Sequence, residues 1–302
     1  MTGVNAWLHA ARLRTLPLSV SGIIIAAGIA LFEHAFSWAV FVGSLLVTLL
    51  LQILSNIAND YGDGVKGIDN ENRVGPARAL QSGMLTSSAL KTGVYVLSAL
   101  VIISVVALLW VAQLSAKELF VFVVMALFAV VAAIAYTMGD KPYGYRGLGD
   151  LMVFIFFGGV AVIAGSYLYI KEIHLTQGWF AISIGAFSTA VLNLNNLRDE
   201  ASDRKSNKQT LVVRLGYRRA LIYHHTIIIS GFFAYIAGVA QFSANATLVA
   251  VPMAWLFRGH LQRVRKAVPG TPDLDPELKR IAMISFFSAL FVLILVVGLP
   301  LI

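Results

Sequence analysis

Long apolar segments recur along the whole 302-residue sequence, and most of them span 17 to 22 residues. About 20 apolar residues in an α-helix cross the hydrocarbon core of a bilayer. Hydrophobic residues make up 58% of the chain and charged residues only 13%, whereas roughly a quarter of the residues are charged in soluble domains. The sequence therefore predicts an all-α, polytopic membrane protein.

The apolar segments predict nine transmembrane helices in a single domain that comprises residues 1–302. The eighth segment is the shortest and contains Pro252, which is typical of a tilted or broken helix. The nine predicted spans are 16–32, 38–58, 92–110, 119–138, 151–170, 179–197, 221–242, 246–257 and 281–302.

Lysine and arginine are distributed unevenly over the loops between these spans. Of the 23 basic residues, only Lys117 and Lys171 fall on one side of the predicted bundle, and the others fall on the opposite side. Because cytoplasmic loops carry the positive excess in membrane proteins, the N-terminus is predicted inside and the C-terminus outside. The same asymmetry explains the net charge of +8, so this charge gives no reason to expect a nucleic-acid partner.

Acidic residues form two clusters on the predicted inner side, where the distribution of basic residues gives no reason for them. One cluster ends the second span and the other ends the sixth. If both helices continue far enough, a spacing of three or four residues places the members of each cluster on one helical face. The first cluster comprises Asn56, Asn59, Asp60 and Asp63, and the second comprises Asn195, Asp199 and Asp203.

Several carboxylates facing one another in a partly dehydrated site repel, and a bound cation removes this repulsion. Carboxylate and amide oxygens suit Mg²⁺, which takes one or two carboxylates and completes its shell with water and substrate phosphates. In the competing interpretation these residues only cap and solvate helix ends. That interpretation explains one cluster as well as a metal site does, but it does not explain two clusters with matching spacing.

Basic residues adjoin both acidic clusters. Arg73 and Arg78 follow the first cluster, Lys208 follows the second, and Lys141 lies between the fourth and fifth spans, close to Tyr136. Carboxylates for metal ions and basic side chains for phosphate oxygens are what a diphosphate leaving group requires.

The matching clusters also suggest an internal duplication. Residues 12–138 and 147–260 would be two halves in the same orientation, because the clusters are four spans apart. The ninth helix, residues 281–302, would be appended to them.

Other kinds of site find little support in the sequence. The absence of cysteine excludes thiolate catalysis, disulfides and iron–sulfur clusters. The six histidines are not spaced like zinc ligands, and no G-x-x-x-x-G-K-[ST] segment of a P-loop occurs.

The two acidic clusters resemble those of the UbiA superfamily of intramembrane prenyltransferases. Its members carry Asn-Asp-x-x-Asp-x-x-x-Asp on helix two and Asp-x-x-x-Asp on helix six, and the matching residues here are 59–63 and 199–203. Residues 51–63, 141–150 and 195–199 are most similar to the bacterial branch that prenylates 1,4-dihydroxy-2-naphthoate in menaquinone synthesis. The third acid of the first motif would fall at Gly67, but the nearest carboxylate is Asp69, a displacement that this branch shares.

The resemblance implies a nine-helix bundle in the bacterial cytoplasmic (inner) membrane, with active-site loops on the cytoplasmic side and a cavity that opens sideways to the lipid bilayer. It implies transfer of a polyprenyl group from polyprenyl diphosphate to 1,4-dihydroxy-2-naphthoate. The diphosphate would leave an allyl cation, and CO₂ would be lost as demethylmenaquinone forms. Two Mg²⁺ ions would bridge the diphosphate.

The resemblance also assigns roles to individual residues. The metal ligands would be Asn59, Asp63, Asp199 and Asp203, while the contact of Asp69 with metal stays open. The catalytic set would be Asp60, Asp63, Asp199, Asp203 and Tyr136, and the diphosphate would be bound by Arg12, Arg73, Arg78, Lys141 and Lys208.

Two alternatives remain at this point. The aromatic acceptor could be 4-hydroxybenzoate, haem or a chlorin, because the superfamily shares these motifs. A secondary transporter also carries intramembrane acids, although transporters place them near the middle of the bilayer. An inactive membrane scaffold would leave both acidic clusters unexplained. Prenyl chain length and oligomeric state do not follow from the sequence.

Overall fold

The computed structural model describes residues 3–69 and 74–299, and within them all regular structure is helical. The predicted all-α class is confirmed. Twelve α-helices are present, together with a π-helical segment, Phe154–Ala164, that joins two of them without a break. The α-helices are α1 (Gly3–Ala11), α2 (Leu16–Phe32), α3 (Trp38–Val65), α4 (Ser87–Val111), α5 (Ala116–Ala135), α6 (Gly149–Val153), α7 (Gly165–Ile170), α8 (Leu175–Lys205), α9 (Leu211–Leu215), α10 (Tyr217–Phe242), α11 (Ala250–Lys266) and α12 (Asp275–Gly298).

Eight helical segments in the described part of the chain are long and apolar enough to cross a membrane. They coincide with eight of the nine predicted spans, and α6, the π-helical segment and α7 together form one of them, Gly149–Ile170. The helices α3 and α8 continue to Val65 and Lys205, beyond the predicted ends at 58 and 197. Both acidic clusters therefore lie on helix, as their spacing required. The sidedness of the termini stays a prediction.

The predicted eighth span, 246–257, differs from the others. Its residues belong to a 3₁₀ turn, Asn245–Val249, and to α11, which is not among the helices that could cross a membrane. The helix α11 has only 17 residues, and its second half is strongly basic, with Arg263, Arg265 and Lys266 in the last turn. Such side chains are costly within hydrocarbon and favourable beside headgroups.

Two hydrophobic cores hold the bundle together. One core joins α3, α4 and α5 through residues such as Leu54, Leu90 and Val130. The other joins α8, α10 and α12 around Phe187 and Tyr235. The long helix α2 contributes to both cores, because it packs against α3 on one side and α12 on the other. The internal duplication remains a prediction.

The π-helical segment packs unusually close to its neighbours. A Cβ atom added to Gly158 would lie 2.3 Å from the backbone oxygen of Ala181 on α8, and one added to Gly22 on α2 would lie 2.6 Å from Cβ of Ala161. Small residues permit this approach of helix backbones within a membrane. The π-helical segment is consequently held between α2 and α8, and one of its faces lines the cavity described below.

Gly158 should therefore be far less tolerant of a side chain than its neighbour Gly159. We expect Gly158→Ala to lower the free energy of unfolding by about 1–3 kcal/mol, because the added methyl group overlaps α8. Gly159→Ala is the matched control, since no atom lies within 4 Å of its added Cβ. Thermal unfolding of the two purified variants in detergent measures the difference, and equal midpoints would contradict the close packing.

Candidate active site

The two acidic helix ends meet at a shared lysine. The Nζ atom of Lys208 lies 3.7 Å from Oδ2 of Asp63 on α3 and 3.8 Å from Oδ1 of Asp203 on α8. Both aspartates are buried. Burial by itself would lower the pKa of Lys208, but the carboxylates of Asp63 and Asp203 raise that pKa above its usual value. One positive charge therefore compensates two carboxylates that come from distant parts of the sequence.

Tyr145 closes one side of this cluster. Its hydroxyl donates a 2.6 Å hydrogen bond to Oδ1 of Asp63, and the ammonium groups of Lys66 and Lys208 lie 5.0 and 5.4 Å from its ring centre. Burial raises the pKa of Tyr145, and the charge of Asp63 raises it further, so the hydroxyl stays a donor. The backbone carbonyl of Tyr145 accepts from the N–H of Gln209, which ties this loop to the chain that follows α8.

Asp60 lies on the same face of α3 as Asp63 but contacts backbone N–H groups and not a cation. Its two carboxylate oxygens accept the backbone N–H groups of Ala79 and Leu80, at 2.9 and 3.2 Å. The carboxylate is 1% exposed. Asp60 therefore fixes the loop between α3 and α4 over the acidic cluster, and that loop carries Arg78.

Arg198 binds the second acidic helix end to two other elements. Its guanidinium donates to both oxygens of Asp199, at 2.8 and 2.7 Å, and to Oδ1 of Asp275 at the start of α12, at 2.6 Å. It also donates to Oδ1 of Asn195. A Cβ added to Gly75 would lie 2.5 Å from Nη2 of Arg198, so the α3–α4 loop passes directly over this guanidinium.

The other predicted basic residues lie at different distances from the cluster. Nε of Arg78 lies 3.6 Å from Oδ2 of the buried Asp69, and the charges of Arg78 and Arg12 both act on the Asp63 carboxylate. Lys141 is exposed and forms no ion pair with another described residue. Arg73 lies outside the described residues.

Asn59 and Tyr136 stand where the polar cluster meets a cavity, and both line it. The hydroxyl of Thr137 lies 3.2 Å from the amide oxygen of Asn59 and 3.0 Å from the carbonyl of Ala58. The ammonium of Lys66 donates to the carbonyls of Thr137 and Gly139. Burial raises the pKa of Tyr136 to about 12. Tyr136 is therefore a neutral phenol at physiological pH.

The cavity has a volume of about 350 Å³ and is mostly apolar. It is enclosed by α2, α3, α4, α5 and the π-helical segment. Along α3 its lining extends from Asn59 to Ser44, which corresponds to roughly 22 Å at 1.5 Å per residue. Its polar end is formed by Asn56, Asn59, Tyr136 and Tyr143, and its walls farther along include Phe122, Leu108 and Leu168.

The sequence interpretation missed two important contributors. The only sequence signal for Arg198 is its position beside Asp199. Tyr145 stands out in the sequence only as a member of residues 141–150, which carry part of the resemblance. No feature of the sequence distinguished Asp60, which holds a loop, from Asp63, which shares a cation.

Comparison with known proteins shows the family of this chain. The model of the UbiA prenyltransferase family matches residues 21–274. The chain belongs to this family. It is 38% identical to the 1,4-dihydroxy-2-naphthoate octaprenyltransferase of Escherichia coli over 91% of both chains, and 35% identical to the protein of that name from Mycobacterium tuberculosis over 97% of both.

The fold also agrees with solved members of the UbiA family. A UbiA homologue from Archaeoglobus fulgidus, bound to DMAPP and Mg²⁺, matches with a TM-score of 0.66 at 15% identity and covers 97% of this chain and 99% of its own. The apo UbiA homologue from Aeropyrum pernix matches with the same TM-score over 94% of this chain and 97% of its own. This likeness establishes the helical architecture.

The hydrogen bonds of Asp60 give a direct test of its structural task. We expect Asp60→Asn to destabilise the protein by about 1–3 kcal/mol, because an amide offers one acceptor oxygen to two N–H donors and turns its own NH₂ toward one of them. Hydrogen exchange of residues 75–86 should accelerate. Asp140→Asn, in an exposed loop, is the control, and indistinguishable exchange in the two variants would refute this role.

Proposed function

We propose that this protein transfers a polyprenyl group from polyprenyl diphosphate to 1,4-dihydroxy-2-naphthoate. The observation that carries the proposal is the convergence of two acidic helix ends on one cation, Lys208, at the polar end of a long apolar cavity. A prenyl diphosphate likewise has one charged and one apolar part, since its anionic head needs cations and its tail needs an apolar channel. The naphthoate prenyltransferases at 35–38% identity support this choice of acceptor.

The donor atoms of the cluster fit Mg²⁺. Asp63 and Asp203 already converge on a positive charge, and carboxylate and amide oxygens are hard ligands. Among the described residues no three His, Asp or Glu side chains form a ready metal site. Mg²⁺ suits this arrangement, because it takes one or two carboxylates and completes its shell with water and phosphate oxygens.

We assign Asp63 and Asp203 as the principal metal ligands, with Asn59 beside them at the cavity. Arg198 holds both oxygens of Asp199 in a fixed orientation, and Asp199 would contribute to the metal site through its remaining lone pairs. Asp69 is engaged by Arg78 and belongs to the outer part of the site. Mg²⁺, as two ions, would neutralise the diphosphate and so favour its departure with the electrons of the allylic C–O bond.

Basic side chains share the remaining charge of the diphosphate. Lys208 is already between the two metal-binding aspartates, and Arg78 and Arg12 lie within electrostatic range of Asp63. A guanidinium group binds phosphate strongly, because it can donate two parallel hydrogen bonds to two phosphate oxygens. In our assignment Lys208, Arg78 and Arg12 bind the diphosphate directly. Lys141 is exposed, and both Lys141 and Arg73 are assigned to the diphosphate by the resemblance alone.

Tyr136 and Tyr143 line the polar end of the cavity, and their rings meet edge to face with centres 5.3 Å apart. Aromatic faces attract cations, so these rings favour the positive charge that develops on the prenyl carbon. The naphthoate ring carbon that bears the carboxylate attacks this carbon, a C–C bond forms, and CO₂ leaves with no change in the number of protons. The immediate product is demethylmenaquinol, the hydroquinone form, because both ring hydroxyls are retained in this step.

Removing single carboxylates tests this assignment. We expect Asp63→Ala, Asp199→Ala and Asp203→Ala each to lower turnover at least about a hundredfold, because each change removes a carboxylate that would hold Mg²⁺ on the diphosphate. Glu200→Ala is the matched control, since Glu200 lies between these aspartates on α8 but pairs with Arg204 at the surface. The assay follows product mass in membranes that are supplied with polyprenyl diphosphate and Mg²⁺.

The same assay decides the acceptor. Dihydroxynaphthoate should give a prenylated product that has lost CO₂, and 4-hydroxybenzoate should give none. Product from 4-hydroxybenzoate alone would replace the proposed acceptor, whereas no product from either, together with aspartate-dependent cation flux in vesicles, would favour the transporter hypothesis.

Lys208 and Mg²⁺ should compete for the same carboxylates. We expect Lys208→Met to lower the unfolding temperature in EDTA, because Asp63 and Asp203 then repel without compensation. Mg²⁺ alone should stabilise this variant more than it stabilises the wild type. Lys205→Met, at an exposed position on α8, is the control. An equal Mg²⁺-induced shift in wild type and Lys208→Met would contradict the shared site.

A further inference from the structure

A second hollow lies outside the active site, in a groove between α10 and α11. Its volume is about 480 Å³. Most of its lining is apolar, but one end is basic and polar, and none of its lining residues is acidic. The lining residues used in the argument are His225, Phe232 and Phe233 on α10 and Phe257, Arg258, Gln262 and Arg265 on α11.

The lining of this groove changes from basic to apolar toward the same end on both helices. The helices α10 and α11 are consecutive and joined by a short connection, so they run antiparallel. On α10 the lining begins at His225 and ends at Phe233, about 12 Å farther along the helix. On α11 the lining becomes basic toward Arg265. The groove thus has one basic end and one apolar end, which is the shape of an anionic amphiphile.

The rotation of α11 is fixed by a buried network on its other face. The Nδ1 and Nε2 atoms of His260 lie 2.7 Å from Oε2 of Glu277 on α12 and 2.9 Å from Nε2 of His224 on α10. His260 and Val264 face the core. Arg265 follows Val264 by one residue, and Arg258 precedes His260 by two. Both arginines therefore lie on a different face of α11, beside the groove.

The two arginines carry charge that no described residue neutralises. Among residues 3–69 and 74–299, neither Arg258 nor Arg265 forms an ion pair, whereas Arg263 on the same helix pairs with Glu277. Both are exposed. Basic pockets between membrane helices bind anionic lipid headgroups, and each basic residue near an anionic membrane surface adds measurably to binding.

We propose that the groove between α10 and α11 binds one acidic phospholipid. Arg258, Gln262 and Arg265 contact the phosphate, and an acyl chain lies against Phe232, Phe233 and Phe257. The prenyl diphosphate does not fit here as well, because the groove has no carboxylate to hold the Mg²⁺ that accompanies it.

The test compares lipid binding by two doubly substituted full-length proteins of equal charge. Arg258→Gln/Arg265→Gln removes the proposed headgroup contacts. Arg218→Gln/Arg219→Gln, at exposed positions near the start of α10, removes the same charge outside the groove. Dioleoylphosphatidylglycerol is titrated into detergent-purified protein, and its affinity is obtained from the thermal shift, with dioleoylphosphatidylcholine and sn-glycerol 3-phosphate as separate arms.

We expect phosphatidylglycerol to stabilise the wild type and the Arg218/Arg219 variant equally, and its affinity for the Arg258/Arg265 variant to be about thirtyfold lower. Equal affinities for both variants would overturn the proposal, and so would an equal loss in both, which indicates unspecific surface charge. An equal thermal shift with phosphatidylcholine would show that no acidic headgroup is required, and an equal shift with glycerol phosphate alone would show that no acyl chain is required. Either result would contradict the proposal. Arg265→Gln alone serves as the test if the double variant does not fold.

Discussion

The charge of Lys208 between Asp63 and Asp203 is the interaction on which the rest of the site depends. Two buried carboxylates at the ends of different helices repel each other strongly in a medium of low dielectric constant. A single ammonium at 3.7 and 3.8 Å from them turns this repulsion into an attraction that draws α3 and α8 together. In the function that we propose, the same two carboxylates would hold a divalent metal ion.

Every other acidic group of the site is likewise satisfied, but each by a different partner. Asp60 accepts two backbone N–H groups, Asp199 accepts a guanidinium, and Asp69 faces Arg78. These contacts fold the α3–α4 loop over both acidic helix ends. The acidic side chains therefore divide into those held by the backbone or by arginine and the two, Asp63 and Asp203, that share Lys208. All of them are aspartates, and all except Asp69 lie on α3 or α8.

Apolar space complements this polar end in two places. The cavity beside α3 begins at Asn59 and Tyr136 and continues between helices that pack closely through Gly22 and Gly158. The groove between α10 and α11 also has a polar end and an apolar end, but its polar end is basic. An acidic cluster beside the cavity suits a substrate that arrives with metal ions, and a basic end suits an anionic headgroup that arrives without them.

Much of this protein could be predicted from the sequence, because both the crossing of a bilayer and the spacing of a helical face are local properties. Apolar segments determined the long helices, and the intervals from Asn56 to Asp63 and from Asn195 to Asp203 determined two polar faces. Residues 246–257 differ from the other predicted spans for an equally local reason, since the basic residues that follow them belong to the same helix, α11.

The pairing of charged side chains does not follow such local rules. Which cation meets which carboxylate depends on how the loops return over the helix ends. Only the tertiary structure decided that Lys208 lies with Asp63 and Asp203, and that Arg198 lies with Asp199 and Asp275. The reason is that electrostatic partners are set by distance in space and not by separation along the chain.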